Sequence, residues 1–121
     1  AGIIGKNASD TGLMTALNER FPNQVILLTL GAEGVLYRLP GLEVEAIAGF
    51  KVNAVDTTGA GDTFVGFAMK AVADYFAHRD AARFKVLLRQ AVAAAALSVT
   101  QDGAVASIPT MDDVESFLSQ R

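Results

Sequence analysis

The chain has 121 residues and a formal net charge of −3, with 51% hydrophobic and 19% charged residues. This length predicts one domain at most, and the composition excludes a disordered chain. The weak negative charge supplies no basic stripe, so neither nucleic acid nor a membrane is an expected partner. The sequence holds no cysteine, which excludes disulfides and thiolate metal sites and fits the reducing cytoplasm, where we expect this protein. It shows no apolar run of the roughly 18 residues that span a bilayer, and no signal-peptide pattern at residues 1–5.

The first half of the chain predicts one helix followed by strands. Leu13, Leu17 and Phe21 recur at helical spacing, which predicts a helix that ends near Arg20. Residues 25–28 form an unbroken apolar run, which is typical of a strand buried on both faces. Further strands are expected at 35–38, 42–47 and 50–55.

The second half predicts three helices. A glycine-rich turn leads into a helix over 62–77, and Asp80 is placed to cap a helix over 81–100. After a glycine-containing loop, Thr110 and Asp113 form a capping-box pair that starts a last helix. This order of elements predicts an α/β fold, with helices packed on a mostly buried sheet.

One segment, residues 56–64, carries a pattern with chemical meaning. Its sequence is Asp-Thr-Thr-Gly-Ala-Gly-Asp-Thr-Phe, and it lies between a predicted strand and a predicted helix. Gly59 and Gly61 allow positive φ angles and a close approach of the backbone to a ligand. The amides of a helix's first turn have no acceptor within the helix and lie at the positive end of its dipole. The turn is therefore a candidate anion site, suited to a phosphate.

Asp62 follows this turn directly, and two interpretations are open for it. A carboxylate beside an anion site fits a general base that takes a proton from a hydroxyl group, which then attacks phosphorus. The alternative is an ordinary glycine-rich helix start, in which Asp62 favours the helix dipole. A P-loop is excluded because Gly-Lys-Ser/Thr is missing, and a nicotinamide-binding fingerprint is disfavoured because Phe64 occupies its third glycine position.

Residues 56–64, with Gly66, resemble the signature of the ribokinase-like carbohydrate kinases. Two further blocks agree in the same order: residues 29–35 are similar to the family's nucleotide-binding turn, and residues 93–109 to its C-terminal pattern. Within the second block, residues 103–109 favour ribokinases over fructokinases and adenosine kinases. The resemblance implies an α/β, Rossmann-like fold of three layers, with helices on both faces of the sheet. It identifies residues 1–121 as a single C-terminal nucleotide-binding and catalytic portion of a sugar kinase, without the sugar-binding half and the lid.

The resemblance also implies a role for individual residues. Asp62 is the base that acts on a sugar hydroxyl, and the amides of Gly59, Ala60 and Gly61 stabilise charge on the transferring phosphoryl group. The residues implied at the ATP site are Thr29, Leu30, Gly31, Ala32, Glu33, Gly34, Gly61 and Val92, the last as an apolar contact to the base.

Two ions are implied in the same way, Mg²⁺ with the nucleotide and a monovalent cation, K⁺, beside the anion site. The positions that match the family's K⁺ ligands are Asp56, Thr58, Ser98, Gln101, Gly103 and Ser107, several of them through backbone carbonyls. The residues alone leave another interpretation open, in which Asp56 caps the turn and the Ser98 hydroxyl bonds back within its helix.

The first hypothesis is therefore ATP-dependent phosphorylation of a sugar hydroxyl, by a chain that is inactive without the rest of a kinase. The alternative is a non-catalytic module that binds adenine nucleotides or regulates another protein. ATP and a small sugar are the expected partners, and a homodimer of the full-length protein is compatible with the family. His78 is interpreted as a solvated residue at a helix end, and Arg79, Arg83, Lys85 and Arg89 as a solvated helix face.

Overall fold

The structure is a computed structural model that describes residues 8–57, 59–100 and 109–120. It divides into two compact units, Ala1–Gly49 and Phe50–Arg121, and each is described by itself. This division does not test the prediction that residues 1–121 act as a single nucleotide-binding and catalytic portion, which stays a prediction. None of the helices in the described ranges combines the length and the apolar character that a membrane span requires.

The first unit is a helix with a small antiparallel sheet. Its elements are α1 (Ala8–Arg20), β1 (Ile26–Thr29), a 3₁₀ turn (Gly31–Glu33), β2 (Gly34–Arg38) and β3 (Glu45–Ala48). The strand order is β1-β2-β3, so Leu36 on the middle strand lies opposite Leu28 on one side and Ala46 on the other. The helix and strands expected from the sequence are thus present, with β3 shorter than the alternating segment 42–47.

Alternate side chains of the sheet face α1. Met14, Ile26 and Leu36 are buried together there, and Leu17 and Leu28 pack against them. The sequence prediction for residues 25–28 was wrong in one respect, because β1 is not buried on both faces. Only Ile26 is buried in this strand, since β1 pairs with β2 alone and forms an edge of the described sheet.

Two glycines of this unit are required by close approaches of the backbone. Gly34 has a φ of 114°, and a Cβ atom there would overlap the carbonyl oxygen of Ile47 and lie 2.7 Å from the nitrogen of Gly49. A Cβ atom on Gly49 would overlap the carbonyl oxygen of Ala32. The Gly49 amide also donates to the carbonyl oxygen of Glu33 at 3.0 Å, so the end of β3 is pressed against the 3₁₀ turn.

The second unit is built from helices α2 (Ala60–His78), α3 (Ala81–Val99) and α4 (Met111–Ser119). Asp80 caps α3 as predicted, because its carboxylate accepts from the Arg83 amide at 3.0 Å. The capping box of α4 is also confirmed: the Thr110 hydroxyl accepts from the Asp113 amide, and the Asp113 carboxylate accepts from the Thr110 amide. Residues 101–108 lie outside the described residues, so the predicted loop is not observed.

Helices α2 and α3 form an antiparallel hairpin with a two-residue connection. Each has 19 residues, a length of about 28 Å, so the start of α2 lies level with the end of α3. Ala91, Ala93 and Ala94 on α3 are fully buried, and small side chains of this kind permit close packing of neighbouring elements. Ala93 and Ala94 form a core cluster with Val114 and Phe117 of α4.

Residues 50–55 do not form the predicted strand. They have no strand partner in the described part of the chain. Phe50 and Val52 contact the cluster that contains Ala93 and Phe117. Two of the apolar residues that suggested a strand are therefore explained by packing on helices, whereas Val55 is exposed.

Candidate functional site

The glycine-rich turn at the start of α2 has the geometry that an anion site needs. Gly59 precedes the helix with a φ of 84°, in the left-handed region that favours glycine. A Cβ atom on Gly61 would meet open space, so the backbone at this position is accessible. Thr63 and Phe64, two and three residues after Gly61, are buried and anchor the turn in the second unit.

The amide groups of this turn differ in whether they are free to donate a hydrogen bond to an anion. The Ala60 amide donates to the carbonyl oxygen of Thr57 at 3.3 Å, a long hydrogen bond that closes the turn. The Thr63 amide donates to the carbonyl oxygen of Gly59 at 2.9 Å and belongs to the helix. A phosphate at this turn would therefore share or replace one weak hydrogen bond at Ala60. The roles of Gly59, Ala60 and Gly61 stay predictions.

Asp62 lies in the first turn of α2 and is exposed. A carboxylate in this position is favoured by the helix dipole whether or not it takes part in a reaction. Its exposure keeps it accessible to a ligand held at the neighbouring glycines. The geometry is thus compatible with both interpretations of Asp62, and the assignment as a base stays a prediction.

The segment before the turn is fastened to the end of α3. The carbonyl oxygen of Val99 accepts from two consecutive amides, Val55 at 2.6 Å and Asp56 at 3.0 Å. The positive end of α2 and the negative end of α3 therefore lie side by side. Such an arrangement can hold an anion at the first helix end and a cation at the second. Sequence reasoning missed this link, because a bond between backbone groups leaves no side-chain signal.

Only two of the six predicted K⁺ ligands, Asp56 and Ser98, lie among the described residues, and the Val99 carbonyl brings their segments together. The Ser98 side chain is fully buried, and its hydroxyl donates to the carbonyl oxygen of Ala95 at 2.7 Å, the back-bond expected in the alternative interpretation. The other four ligands, Thr58, Gln101, Gly103 and Ser107, lie outside the described residues.

Acidic and imidazole side chains do not gather into a metal site in the described ranges. No group of three such residues is placed to hold a metal ion there.

The predicted nucleotide-binding turn lies in the first unit, between β1 and β2. The Leu30 amide donates to the carbonyl oxygen of Gly34 at 2.8 Å, and the Glu33 amide to that of Leu30 at 3.1 Å. Gly31 and Gly34 both have positive φ angles, as the pattern of glycines predicts. The exposed residues of the turn are Thr29, Gly31, Ala32 and Glu33.

Val92, the predicted contact to the adenine, lies in the second unit. Its side chain is only 7% exposed, within the buried face of α3. It is thus a core residue in the described structure, and its role at a nucleotide stays a prediction.

The basic residues of the hairpin, Arg79, Arg83, Lys85 and Arg89, are exposed and form the solvated face that was predicted. Arg83 binds the Asp74 carboxylate, Arg79 lies over the rings of Tyr75 and Phe76, and Arg89 lies over the ring of Phe50. These exposed arginines therefore also make side-chain contacts, which the residue types alone did not predict. His78 is exposed at the end of α2 as predicted, and its Nε2 lies 3.7 Å from Asp74 Oδ1.

Comparison with known sequences assigns the chain to a family. A model of the pfkB family carbohydrate kinase matches residues 3–111. The chain belongs to this kinase family. Fructokinase-2 from Solanum lycopersicum is 38% identical over 118 residues, which are 96% of this chain and 35% of that protein. Ribokinase from Haemophilus influenzae is 42% identical over 95 residues, which are 78% of this chain and 29% of that protein. The chain thus spans about a third of the length of these relatives.

Solved structures confirm that the fold of this pfkB chain is ribokinase-like. Ribokinase from Giardia lamblia has a TM-score of 0.77 and 27% identity, over 96% of this chain and 38% of that one. A fructokinase double mutant from Vibrio cholerae, with fructose, ADP and potassium ion bound, has a TM-score of 0.72 and 30% identity, over 94% of this chain and 36% of that one. Because fructokinases and ribokinases both match, the preference for ribokinases stays a prediction.

Proposed function

We propose that this pfkB chain carries the phosphoryl-transfer site of an ATP-dependent kinase that phosphorylates a hydroxyl group of a small sugar. The observation that carries the proposal is the start of α2, where the left-handed Gly59 and the open backbone of Gly61 precede an exposed Asp62. A candidate anion site and a carboxylate are thus next to one another at the positive end of a helix. Family membership supports the reaction class.

In the proposed reaction, Asp62 accepts the proton of the sugar hydroxyl as its oxygen forms a bond to the γ-phosphorus of ATP. The bond between this phosphorus and the bridging oxygen breaks, and ADP leaves with the electron pair. The amides of Gly59 and Gly61, and the Ala60 amide when it turns from Thr57, stabilise charge on the transferring group. A general base of this kind contributes roughly 10²- to 10⁴-fold to the rate.

A monovalent cation fits the neighbouring end of α3. The carbonyl groups at a helix C-terminus favour positive charge, and the segment of Asp56 is held there by the Val99 carbonyl. K⁺ bound in this place would offset the charge of the phosphates. The potassium ion bound to the related Vibrio cholerae fructokinase supports this part of the proposal. Mg²⁺ is expected to arrive with the nucleotide, and no step is assigned to it.

The chain by itself is proposed to bind nucleotide weakly and to transfer no phosphate, because it spans about a third of its relatives. A small sugar as acceptor follows from the names of those relatives, and a homodimer of the complete protein is an expectation from the family alone. A cytoplasmic location is proposed from the absence of cysteine. The rival function, a nucleotide-binding module without catalysis, predicts the same weak binding.

Two measurements test the proposal. Titration of ¹⁵N-labelled chain with ATP should shift the amide resonances of Gly59, Gly61 and Asp62, and a shift confined to other residues would contradict the anion site. For catalysis, the chain is placed in the matching position of the Solanum lycopersicum fructokinase, and transfer from ATP to fructose is measured.

In this hybrid kinase, Asp62→Asn should lower turnover by roughly 10²- to 10⁴-fold with little change in ATP affinity. The matched control is Asp112→Asn, which removes an exposed carboxylate from the first turn of α4. Turnover of the Asp62→Asn hybrid near that of the control would refute the general base. Binding of ATP by a hybrid that never transfers phosphate would favour the non-catalytic module.

A further inference from the structure

Residues 50–57 form a segment, here called the strap, that leads directly into the glycine turn. The strap makes no strand pairing among the described residues, so sheet hydrogen bonds do not fix its position. It is held at two points, one at each end, and Val52 packs on the cluster of α3 and α4 between them.

The first point is an aromatic contact at the beginning of the strap. The rings of Phe50 and Phe117 meet edge to face, with centroids 5.2 Å apart and an interplanar angle of 79°. The guanidinium carbon of Arg89 lies 5.2 Å from the centroid of the Phe50 ring, a cation–π arrangement. Phe117 is buried and only 8% exposed, so the ring of Phe50 rests on a fixed surface.

The second point is the Val99 carbonyl, which accepts from the Val55 and Asp56 amides. Arg89 and Val99 are ten residues apart on α3, a distance of about 15 Å along the helix axis. Phe50 and Asp56 are six residues apart in sequence, and this length of chain extends over at most about 20 Å. The strap therefore spans most of its maximum length. A shift of Phe50 is expected to move Asp56 and the glycine turn as well.

We propose that Arg89 is a positioning residue, which through the ring of Phe50 holds the strap along α3 and so fixes the glycine turn for its phosphate. The proposal rests on the proposed function of that turn. Arg89 touches neither nucleotide nor sugar in this scheme. It acts on the site through the strap alone.

The test uses amide hydrogen exchange and ATP titration of the 121-residue chain, both followed by NMR. Arg89→Met keeps an unbranched side chain but removes the guanidinium group and its charge, and Phe50→Leu keeps an apolar side chain but removes the ring. Exchange of the Val55 and Asp56 amides should become about threefold faster in Arg89→Met and about tenfold faster in Phe50→Leu. The Leu88 amide, in the buried part of α3, is the control for global unfolding. Its exchange rate should not change in either variant.

Arg79→Met is the matched control, because Arg79 lies over the ring of Phe76 at the other end of the hairpin. It should leave exchange at Val55 and Asp56 unchanged. A purely structural role of Arg89 would change exchange but not ligand binding. A positioning role also predicts that the dissociation constant of ATP, read from the Gly59 and Gly61 amides, rises about threefold in Arg89→Met and recovers in Arg89→Lys.

The outcomes separate this inference from the proposed function. Equal exchange at Val55 and Asp56 in Arg89→Met and Arg79→Met would overturn the role of Arg89, as would an unchanged ATP affinity. If ATP shifts neither Gly59 nor Gly61 in the unmodified chain, the proposed function fails. In that case, the exchange rates of the Val55 and Asp56 amides still show whether Arg89 holds the strap. The amide resonances of Gly59 and Gly61, compared between Arg89→Met and the unmodified chain without ATP, show whether the turn has moved.

Discussion

Arg83 binds Asp74 across the α2–α3 hairpin, with its Nε atom 2.8 Å from each of the two carboxylate oxygens. The Asp74 side chain is 12% exposed, whereas that of Arg83 is 55% exposed. The carboxylate is thus held in a largely buried position by a cation that remains in contact with water. This pair joins the two helices near their connection, at the end opposite the glycine turn.

The first prediction concerns the strength of this pair. A double-mutant cycle of Asp74→Asn and Arg83→Met should give a coupling free energy of about 1 kcal/mol, since exposure of the arginine allows solvent to screen the attraction. The free energy of unfolding is measured by urea denaturation at low and at high salt. The coupling should shrink at high salt, and an additive cycle at both concentrations would show that the pair adds no stability.

The second prediction concerns the backbone at Gly34. Gly34→Ala should lower the free energy of unfolding of the first unit by more than about 3 kcal/mol, because the new methyl group overlaps the Ile47 carbonyl at a positive φ. Gly31→Ala is the control, since Gly31 has a φ of 60° with open space around its Cβ position, and it should cost about 1 kcal/mol. Equal effects would mean that the close approach to β3 is not required.

The third prediction separates the contributions of the backbone and of the side chain of Arg79 to stability. This residue ends α2 with a φ of 53°, a conformation that favours glycine. Arg79→Ala and Arg79→Gly both remove the contacts with Tyr75 and Phe76, but only glycine relieves the backbone. The glycine variant should therefore be more stable than the alanine variant by about 1 kcal/mol in thermal unfolding, and the reverse order would contradict the left-handed cap.

The fourth prediction is a pH dependence of α4. The Thr110 amide, and then the Thr110 side chain, hydrogen-bond to Asp113 and lower the pKa of its carboxyl group below the ordinary value of 3.8. A lowered pKa in the folded state stabilises the fold above the unfolded value, and this contribution is lost as the pH falls through the folded pKa. Stability measured between pH 6 and pH 2 by circular dichroism should thus depend less on pH in Asp113→Asn. The same change at Asp112, which lies outside the capping box, should preserve the wild-type slope.

The helices of the second unit were predictable because their signals are local. Asp80 and the Thr110–Asp113 pair cap their helices as the sequence indicates, since a cap needs only the backbone of the next turn. The left-handed Gly59 was likewise predictable from a glycine before a helix. The strand over 50–55 was not, because an apolar run does not reveal whether its partner is another strand or the surface of a helix.

The sequence by itself determined the family, the helix starts and the residues of the glycine turn, because these depend on neighbours a few positions apart. Only the tertiary structure decided that Val99 holds Val55 and Asp56, that Arg89 covers Phe50 and that Arg83 meets Asp74. The physical reason is that these contacts join residues on different elements. Their partners are chosen by how the chain packs, which no local pattern of residue types encodes.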